Sequence, residues 1–191
     1  PCVVSYYAVL RAGGRATLLS PLFQKLEIKF QLNDSEARFL IAWEGFEDDI
    51  KAVLPETKVE TLILSTLGNW FTSDPTEGDI TSADGSQLYL EDIVIQTQPN
   101  VPKIEIDPEK DLAVLQYTGG TTGLPKGAML THYNLGANLE QCAAVFPGHE
   151  EGKEVMLTGL PLYHIYAQTV AMNFSVKIGA NMVMVTNPRE V

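Results

Sequence analysis

Residues 117–127 concentrate the side chains in this sequence that are best suited to bind phosphate. They read YTGGTTGLPKG, so three threonines, several glycines and one lysine fall within a single short segment. Glycine lets backbone N–H groups approach an anion, because it has no Cβ and accepts positive φ angles. Threonine hydroxyls and a lysine ammonium add hydrogen-bond donors and positive charge. We therefore predict a phosphate site formed by Thr118, Gly119, Gly120, Thr121, Thr122, Gly123 and Lys126.

Apolar residues 112–115 precede this segment and apolar residues 128–130 follow it, which indicates a loop between two short strands. A Walker-type loop differs, because it runs from a strand into a helix and places Ser or Thr directly after its lysine. Here Lys126 lies between Pro125 and Gly127, so a Walker NTPase is disfavoured. The other alternative is a Gly/Thr-rich hairpin that binds no ligand.

A second group of polar and aromatic side chains occupies residues 161–167, PLYHIYA. We place it where a strand ends and a helix begins, the edge at which open α/β sheets bind ligands. Considered alone, His164 is more often a hydrogen-bonded, partly buried side chain than a catalyst. Tyr163 is expected to pack in the core.

Alternating strand and helix patterns predict an α/β fold with mainly parallel sheets flanked by helices. Helices are predicted over 3–11, 22–32, 46–54, 88–95, 133–146 and from about 167 to 176, with Thr131 as an N-cap. Strands are predicted over 16–19, 38–43, 59–65, 128–130, 155–158 and 181–185. We divide the chain into a first α/β unit (1–65), an irregular excursion (66–110), and the phosphate loop with a second α/β unit (111–191).

Composition excludes several classes of protein. The formal net charge of −11 disfavours a nucleic-acid partner, because no basic stripe is present. No apolar run reaches the ~18 residues that a transmembrane helix requires. Cys2 and Cys142 lack the spacing of metal ligands and suit a reducing cytoplasm.

The segment YTGGTTGLPKG resembles the signature phosphate loop of the acyl-adenylate-forming, AMP-binding enzymes. Its Gly-Gly form, preceded by Leu115 and Gln116, is most similar to that of long-chain fatty-acid–CoA ligases. The resemblance implies a parent enzyme that converts a fatty acid and ATP to acyl-AMP and pyrophosphate, then transfers the acyl group to CoA. ATP, Mg²⁺ and CoA are the implied cofactors. PLYHIYA is similar to the family's aromatic motif, which implies that His164 and Tyr166 border the acyl pocket and the adenylate carbonyl.

The same resemblance implies an incomplete N-terminal domain. The adenine and ribose contacts, the metal-binding Glu and the catalytic Lys would lie outside these 191 residues, so we assign no catalytic residue and no metal ligand here. The isolated piece is expected to be inactive. We expect a cytoplasmic protein, free or peripheral to a membrane, and leave a homodimer open. Two alternatives remain: a noncatalytic nucleotide- or acyl-binding module, and an amino-acid adenylation domain, which ranks lower because residues 165–168 (IYAQ) contain no acid.

Overall fold

The computed structural model describes residues 1–66, 68–71, 87–101, 103–118 and 125–185. The chain divides into two compact units. The first comprises Pro1, Val3–Ala12 and Leu19–Lys103, and the second comprises Cys2, Gly13–Leu18 and Ile104–Val191. Each unit is an α/β assembly of its own.

The first unit combines short helices with one small sheet. Its elements are α1 (Cys2–Arg11, all but its first residue), α2 (Lys25–Asp34), β1 (Phe39–Trp43), α3 (Glu47–Val53), β2 (Thr61–Ser65), β3 (Leu88–Tyr89) and α4 (Leu90–Gln96). The three strands are parallel, with β2 between β1 and β3. Leu32, Leu40 and Ile50 form the centre of a core in which α2 and α3 pack against β1.

An ion pair joins the residues that precede the first two strands. The Arg38 guanidinium donates two hydrogen bonds to the Glu60 carboxylate, from Nε to Oε1 at 2.8 Å and from Nη2 to Oε2 at 2.7 Å. These bonds to Arg38 lower the pKa of Glu60. The bidentate geometry favours the observed pairing of β1 with β2.

The second unit contains a hairpin and a separate pair of parallel strands. Its elements are β4 (Leu112–Thr118), β5 (Lys126–Thr131), α5 (His132–Val145), β6 (Val155–Thr158), a π-helical segment (Ala167–Asn173), α6 (Phe174–Ile178) and β7 (Asn181–Met184). Strands β4 and β5 are antiparallel, and β6 and β7 are parallel. Lys177 of α6 forms an ion pair with Glu140 of α5, at 2.6 Å between Nζ and Oε1.

Several sequence-based expectations are confirmed. The α/β class is correct, the predicted strands on either side of the glycine-rich segment pair antiparallel as β4 and β5, and the predicted strand 155–158 matches β6. Thr131 is the N-cap of α5: its hydroxyl accepts a hydrogen bond from the Asn134 N–H, and its own N–H donates to Asn134 Oδ1. Two side chains thus satisfy donors that the start of a helix leaves unpaired.

Other boundaries were predicted wrongly. The strand expected over 16–19 is reduced to a parallel bridge between Ala16 and Val114, because Ala16 supplies both backbone hydrogen bonds to β4. The helix expected from residue 22 begins at Lys25, where the Glu27 carboxylate accepts a hydrogen bond from the N–H of the N-cap residue, Gln24. The helix expected over 88–95 begins at Leu90, because the two residues before it pair with β2 as β3.

Candidate active site

The hairpin of β4 and β5 places Thr118 opposite Lys126. These residues form the last cross-strand pair before the loop, and both are exposed. Directly opposed residues of antiparallel strands have Cβ atoms about 4.5–5.5 Å apart, so the hydroxyl and the ammonium can reach one ligand. Among the residues that the structure describes, no carboxylate forms an ion pair with Lys126.

The adjacent pair, Tyr117 and Gly127, explains why a glycine follows the lysine. A Cβ placed on Gly127 would lie 3.0 Å from Tyr117 Cζ and 3.2 Å from its Cε2. These distances are shorter than ordinary van der Waals contacts, so the ring of Tyr117 occupies the space that a side chain would need. The glycine therefore leaves room for the ring of Tyr117 on the strand beside Lys126.

The rest of the predicted phosphate loop, Gly119, Gly120, Thr121, Thr122 and Gly123, lies outside the described residues. Their roles stay predictions. The described ends of the hairpin nevertheless fix the two positions from which the loop departs and to which it returns.

The second predicted group forms a turn that leads into a helix. The N–H of His164 donates to the Pro161 carbonyl at 3.0 Å, and the N–H of Gln168 donates to the His164 carbonyl at 2.9 Å. The N–H of Tyr166 lies 3.3 Å from His164 Nδ1 and donates to it. In a neutral imidazole that accepts at Nδ1, the proton is on Nε2. His164 can therefore donate a hydrogen bond from Nε2 to a substrate oxygen.

Tyr166 is not a core residue, because 58% of it is exposed. Ala167, the next residue, is fully buried and begins the π-helical segment. The helix thus buries its small residue and leaves the tyrosine ring accessible beside an exposed His164. Tyr163 is half-buried, which agrees only in part with the core packing expected for it. Segments of π-helix are rare and occur frequently at functional sites.

Gln116 links the two groups and was not singled out by sequence reasoning. It is 7% exposed and lies on β4, two residues before Thr118. Its Nε2 lies 3.3 Å from the carbonyl oxygen of Tyr163, the residue before His164. A glutamine that follows the apolar residues 112–115 within one strand was the available signal, because a buried amide requires hydrogen-bond partners.

The residues that the structure describes contain no group of three or more His, Cys, Asp or Glu side chains that could hold a metal ion. None of the helices in the described ranges combines the length and the apolar composition that a membrane-spanning segment needs.

Comparison with known families identifies the class of protein. Residues 1–190 match the family described as AMP-binding enzyme. The match covers almost the whole chain and includes both the hairpin and the histidine turn. The chain belongs to the AMP-binding enzyme family.

Within this family, the chain is similar in sequence to long-chain-fatty-acid–CoA ligases. The chain is 35% identical to the long-chain-fatty-acid–CoA ligase of Salmonella typhimurium, over 98% of this chain and 36% of the relative. It is 34% identical to the ligase of the same name from Bacillus subtilis, over 95% of this chain and 34% of the relative. The chain therefore spans about a third of the length of these relatives.

Solved structures agree with this grouping. A long-chain-fatty-acid-CoA ligase (FadD1) from Archaeoglobus fulgidus superimposes with a TM-score of 0.78 at 29% identity, covering 98% of this chain and 34% of that one. ATP-bound MatB from Rhodopseudomonas palustris gives a TM-score of 0.77 at 25% identity, covering 97% of this chain and 33% of that one. The alternatives of a noncatalytic module and an amino-acid adenylation domain are not favoured by these relatives.

Proposed function

We propose that the full-length protein is an ATP-dependent, AMP-forming fatty-acid–CoA ligase. In the first half-reaction, a carboxylate oxygen of the fatty acid attacks the α-phosphorus of ATP and pyrophosphate leaves. In the second, the CoA thiol attacks the carbonyl carbon of the acyl-AMP, the thiol proton is lost to solvent or a base, and AMP leaves. The substrate class is taken from the relatives, several of which are long-chain-fatty-acid–CoA ligases.

The observation that carries this proposal is the exposed Thr118–Lys126 pair at the end of the hairpin. Departure of pyrophosphate concentrates negative charge on its oxygens, and preorganised donors that face this charge lower the barrier. Lys126 supplies a positive charge and Thr118 a hydroxyl at adjoining positions. Gly119, Gly120, Thr121, Thr122 and Gly123 are assigned to the same phosphate-binding loop.

His164 and Tyr166 are proposed to border the acyl pocket. The Nε2–H of His164 is suited to donate to the carboxylate or adenylate carbonyl, since Nδ1 already accepts from the Tyr166 N–H. The exposed ring of Tyr166 offers apolar surface to an alkyl chain. The two residues thus suit the polar head and the apolar body of a fatty acid, respectively.

The remaining parts of the reaction would come from elsewhere in the full-length protein. We propose that these residues belong to its N-terminal domain, as the resemblance of residues 117–127 to the family's phosphate loop implies; the relatives are about three times as long as this chain. Mg²⁺ would arrive with ATP and neutralise phosphate charge. Of the described hydroxyl groups, that of Thr118 lies nearest in sequence to residues 119–123. We also propose a cytoplasmic location, since both cysteines are free thiols.

Fatty-acid-dependent exchange of pyrophosphate into ATP by the full-length protein tests the first half-reaction. Lys126→Ala is expected to raise the KM for ATP or lower kcat by about 5- to 150-fold, which corresponds to the ~1–3 kcal/mol of a charge-assisted contact. Lys103→Ala is the matched control, because Lys103 is also exposed and forms no ion pair with the described residues. A wild-type protein without acid-dependent exchange would refute the proposed function.

Tyr166→Ala separates the acyl role from a structural one. It is expected to change the preference among fatty acids of different length by up to a few kcal/mol, with little effect on the KM for ATP. Because the side chain is exposed, the melting temperature should stay close to that of the wild type. Equal losses for all fatty acids, with a large fall in melting temperature, would contradict the pocket assignment.

A further inference from the structure

Gln116 occupies a buried position between the two proposed parts of the site. It lies on β4 on the same face as Thr118, because side chains alternate along a strand. It is 7% exposed, whereas Thr118 is exposed. The side chain therefore extends from the phosphate hairpin into the interior of the second unit.

Both hydrogen-bond contacts of the Gln116 amide are made by its nitrogen. Nε2 lies 3.3 Å from the carbonyl oxygen of Tyr117 and 3.3 Å from that of Tyr163. Each distance is slightly longer than the commonest N–H···O distance of about 2.9–3.0 Å, and the two N–H groups of the amide allow one bond to each acceptor. The opposite orientation of the amide would place its oxygen against two carbonyl oxygens, so these acceptors fix which atom faces them.

The bond to Tyr163 acts on the peptide that leads directly into His164. That turn also contains the His164 N–H bond to the Pro161 carbonyl and the Gln168 N–H bond to the His164 carbonyl, and it orients the imidazole that accepts from Tyr166. A displacement of the Tyr163 carbonyl would therefore change the direction in which the His164 Nε2–H points. Gln116 connects that direction to the strand that carries Thr118.

The oxygen of the Gln116 amide indicates that this side chain does more than fill space in the core. Gln116 Oε1 is buried and has no hydrogen-bond partner among the residues that the structure describes. An unsatisfied buried acceptor costs stability, and a methionine of similar shape would avoid this cost. The amide is thus energetically justified by the bonds that its nitrogen makes.

We propose that Gln116 is a positioning residue, which holds the His164 turn in register with the phosphate hairpin through the Tyr163 carbonyl. This inference rests on the proposed function. In this proposal Gln116 contacts neither ATP nor fatty acid. It fixes the position of the His164 turn relative to Thr118 and Lys126. Its loss should reduce productive alignment of the carboxylate more than it reduces binding of ATP, because the pairing of β4 with β5 places Thr118 opposite Lys126.

Kinetics of the full-length protein with Gln116→Met test the proposal. Met keeps the approximate shape and removes the donor. We expect kcat/KM for the fatty acid to fall about tenfold, as the loss of one hydrogen bond in a transition state would produce. The KM for ATP should change less than about threefold. Gln168→Met is the matched control: Gln168 is fully buried in the same unit, and within the described part of the chain neither of its side-chain amide atoms has a hydrogen-bond partner.

A Gln116→Glu variant gives a second test, the pH dependence of activity, which would not change if Gln116 served only to pack the core. Its carboxylate cannot donate to the Tyr163 carbonyl, whereas the protonated acid can. Activity relative to the wild type should therefore recover as the pH falls, and Gln116→Met should show no such recovery. This comparison is made at each pH against the wild type, so general effects of acid cancel.

Three results would overturn the proposal while wild-type exchange remains intact: wild-type kinetics in Gln116→Met, an equal loss for ATP and fatty acid with a large fall in melting temperature, or the same loss in Gln168→Met. Recovery at low pH that is equal in Gln116→Glu and Gln116→Met would also overturn it. Absence of exchange in the wild type is a different result, which refutes the proposed function.

Discussion

Gly127→Ala offers a test in which two opposing effects can be weighed from the structure. Replacing glycine by alanine reduces the entropy of the unfolded chain and stabilises by about 0.4–1 kcal/mol where the native conformation permits it. The φ angle of Gly127 is not in the left-handed region, so this benefit applies. The added Cβ, however, would lie 3.0 Å from Cζ, 3.2 Å from Cε2 and 3.3 Å from Oη of Tyr117.

The steric cost of the added methyl group should exceed its entropic benefit. These Tyr117 atoms belong to a rigid phenol group, which must move as a body by a few tenths of an ångström, and overpacking of this kind costs about 1–3 kcal/mol. Subtracting the entropic benefit leaves a net destabilisation on the order of 1 kcal/mol. Since Thr118 and Lys126 neighbour the displaced pair, the KM for ATP should also rise.

Urea denaturation of four full-length proteins measures this effect: wild type, Gly127→Ala, Tyr117→Ala and the double variant. The cost of the added methyl should disappear when Tyr117 is absent, which gives a coupling energy of about 1–3 kcal/mol. Gly136→Ala is the control, because Gly136 lies inside α5 with nothing within 4 Å of an added Cβ. It should stabilise by about 0.5–1 kcal/mol. A Gly127→Ala cost that is absent, or unchanged by Tyr117→Ala, would refute the reasoning.

Three further predictions concern a cap, an ion pair and the extent of the chain. Thr131→Ala should lower the free energy of unfolding by about 1 kcal/mol, and urea denaturation that shows no loss would contradict the capping role. Arg38→Gln should raise the pKa of Glu60, measured by NMR titration. The folded-state pKa is lowered, so the pair's stabilisation is present above the unfolded-state pKa and is lost as the pH falls through the folded-state value. The isolated 191 residues should show no acyl-CoA synthesis, whereas turnover by the purified chain would contradict the expectation that essential groups lie outside it.

Local sequence was sufficient to predict the hairpin and the start of α5. Glycines and a proline between two apolar runs indicate a turn between strands, and Thr131 precedes a helix that it caps. These features depend on contacts between residues that are close in sequence, so local spacing predicts them. The long motif of residues 117–127 likewise predicted the family.

The tertiary structure decided what local patterns could not. Leu88 and Tyr89 form β3 because they pair with the edge of β2 that β1 does not occupy. The sequence of two residues does not reveal such a partner. The bridge at Ala16 depends in the same way on the edge of β4.

The contact between Gln116 and the Tyr163 carbonyl joins residues 47 positions apart. Side-chain type alone shows that a buried glutamine needs a partner, but not which backbone carbonyl will be brought to it. The sequence therefore supplied the residues that we propose to bind phosphate and to border the acyl pocket. Only folding, which brings distant backbone groups into hydrogen-bonding distance, decided how the phosphate hairpin and the histidine turn are held together.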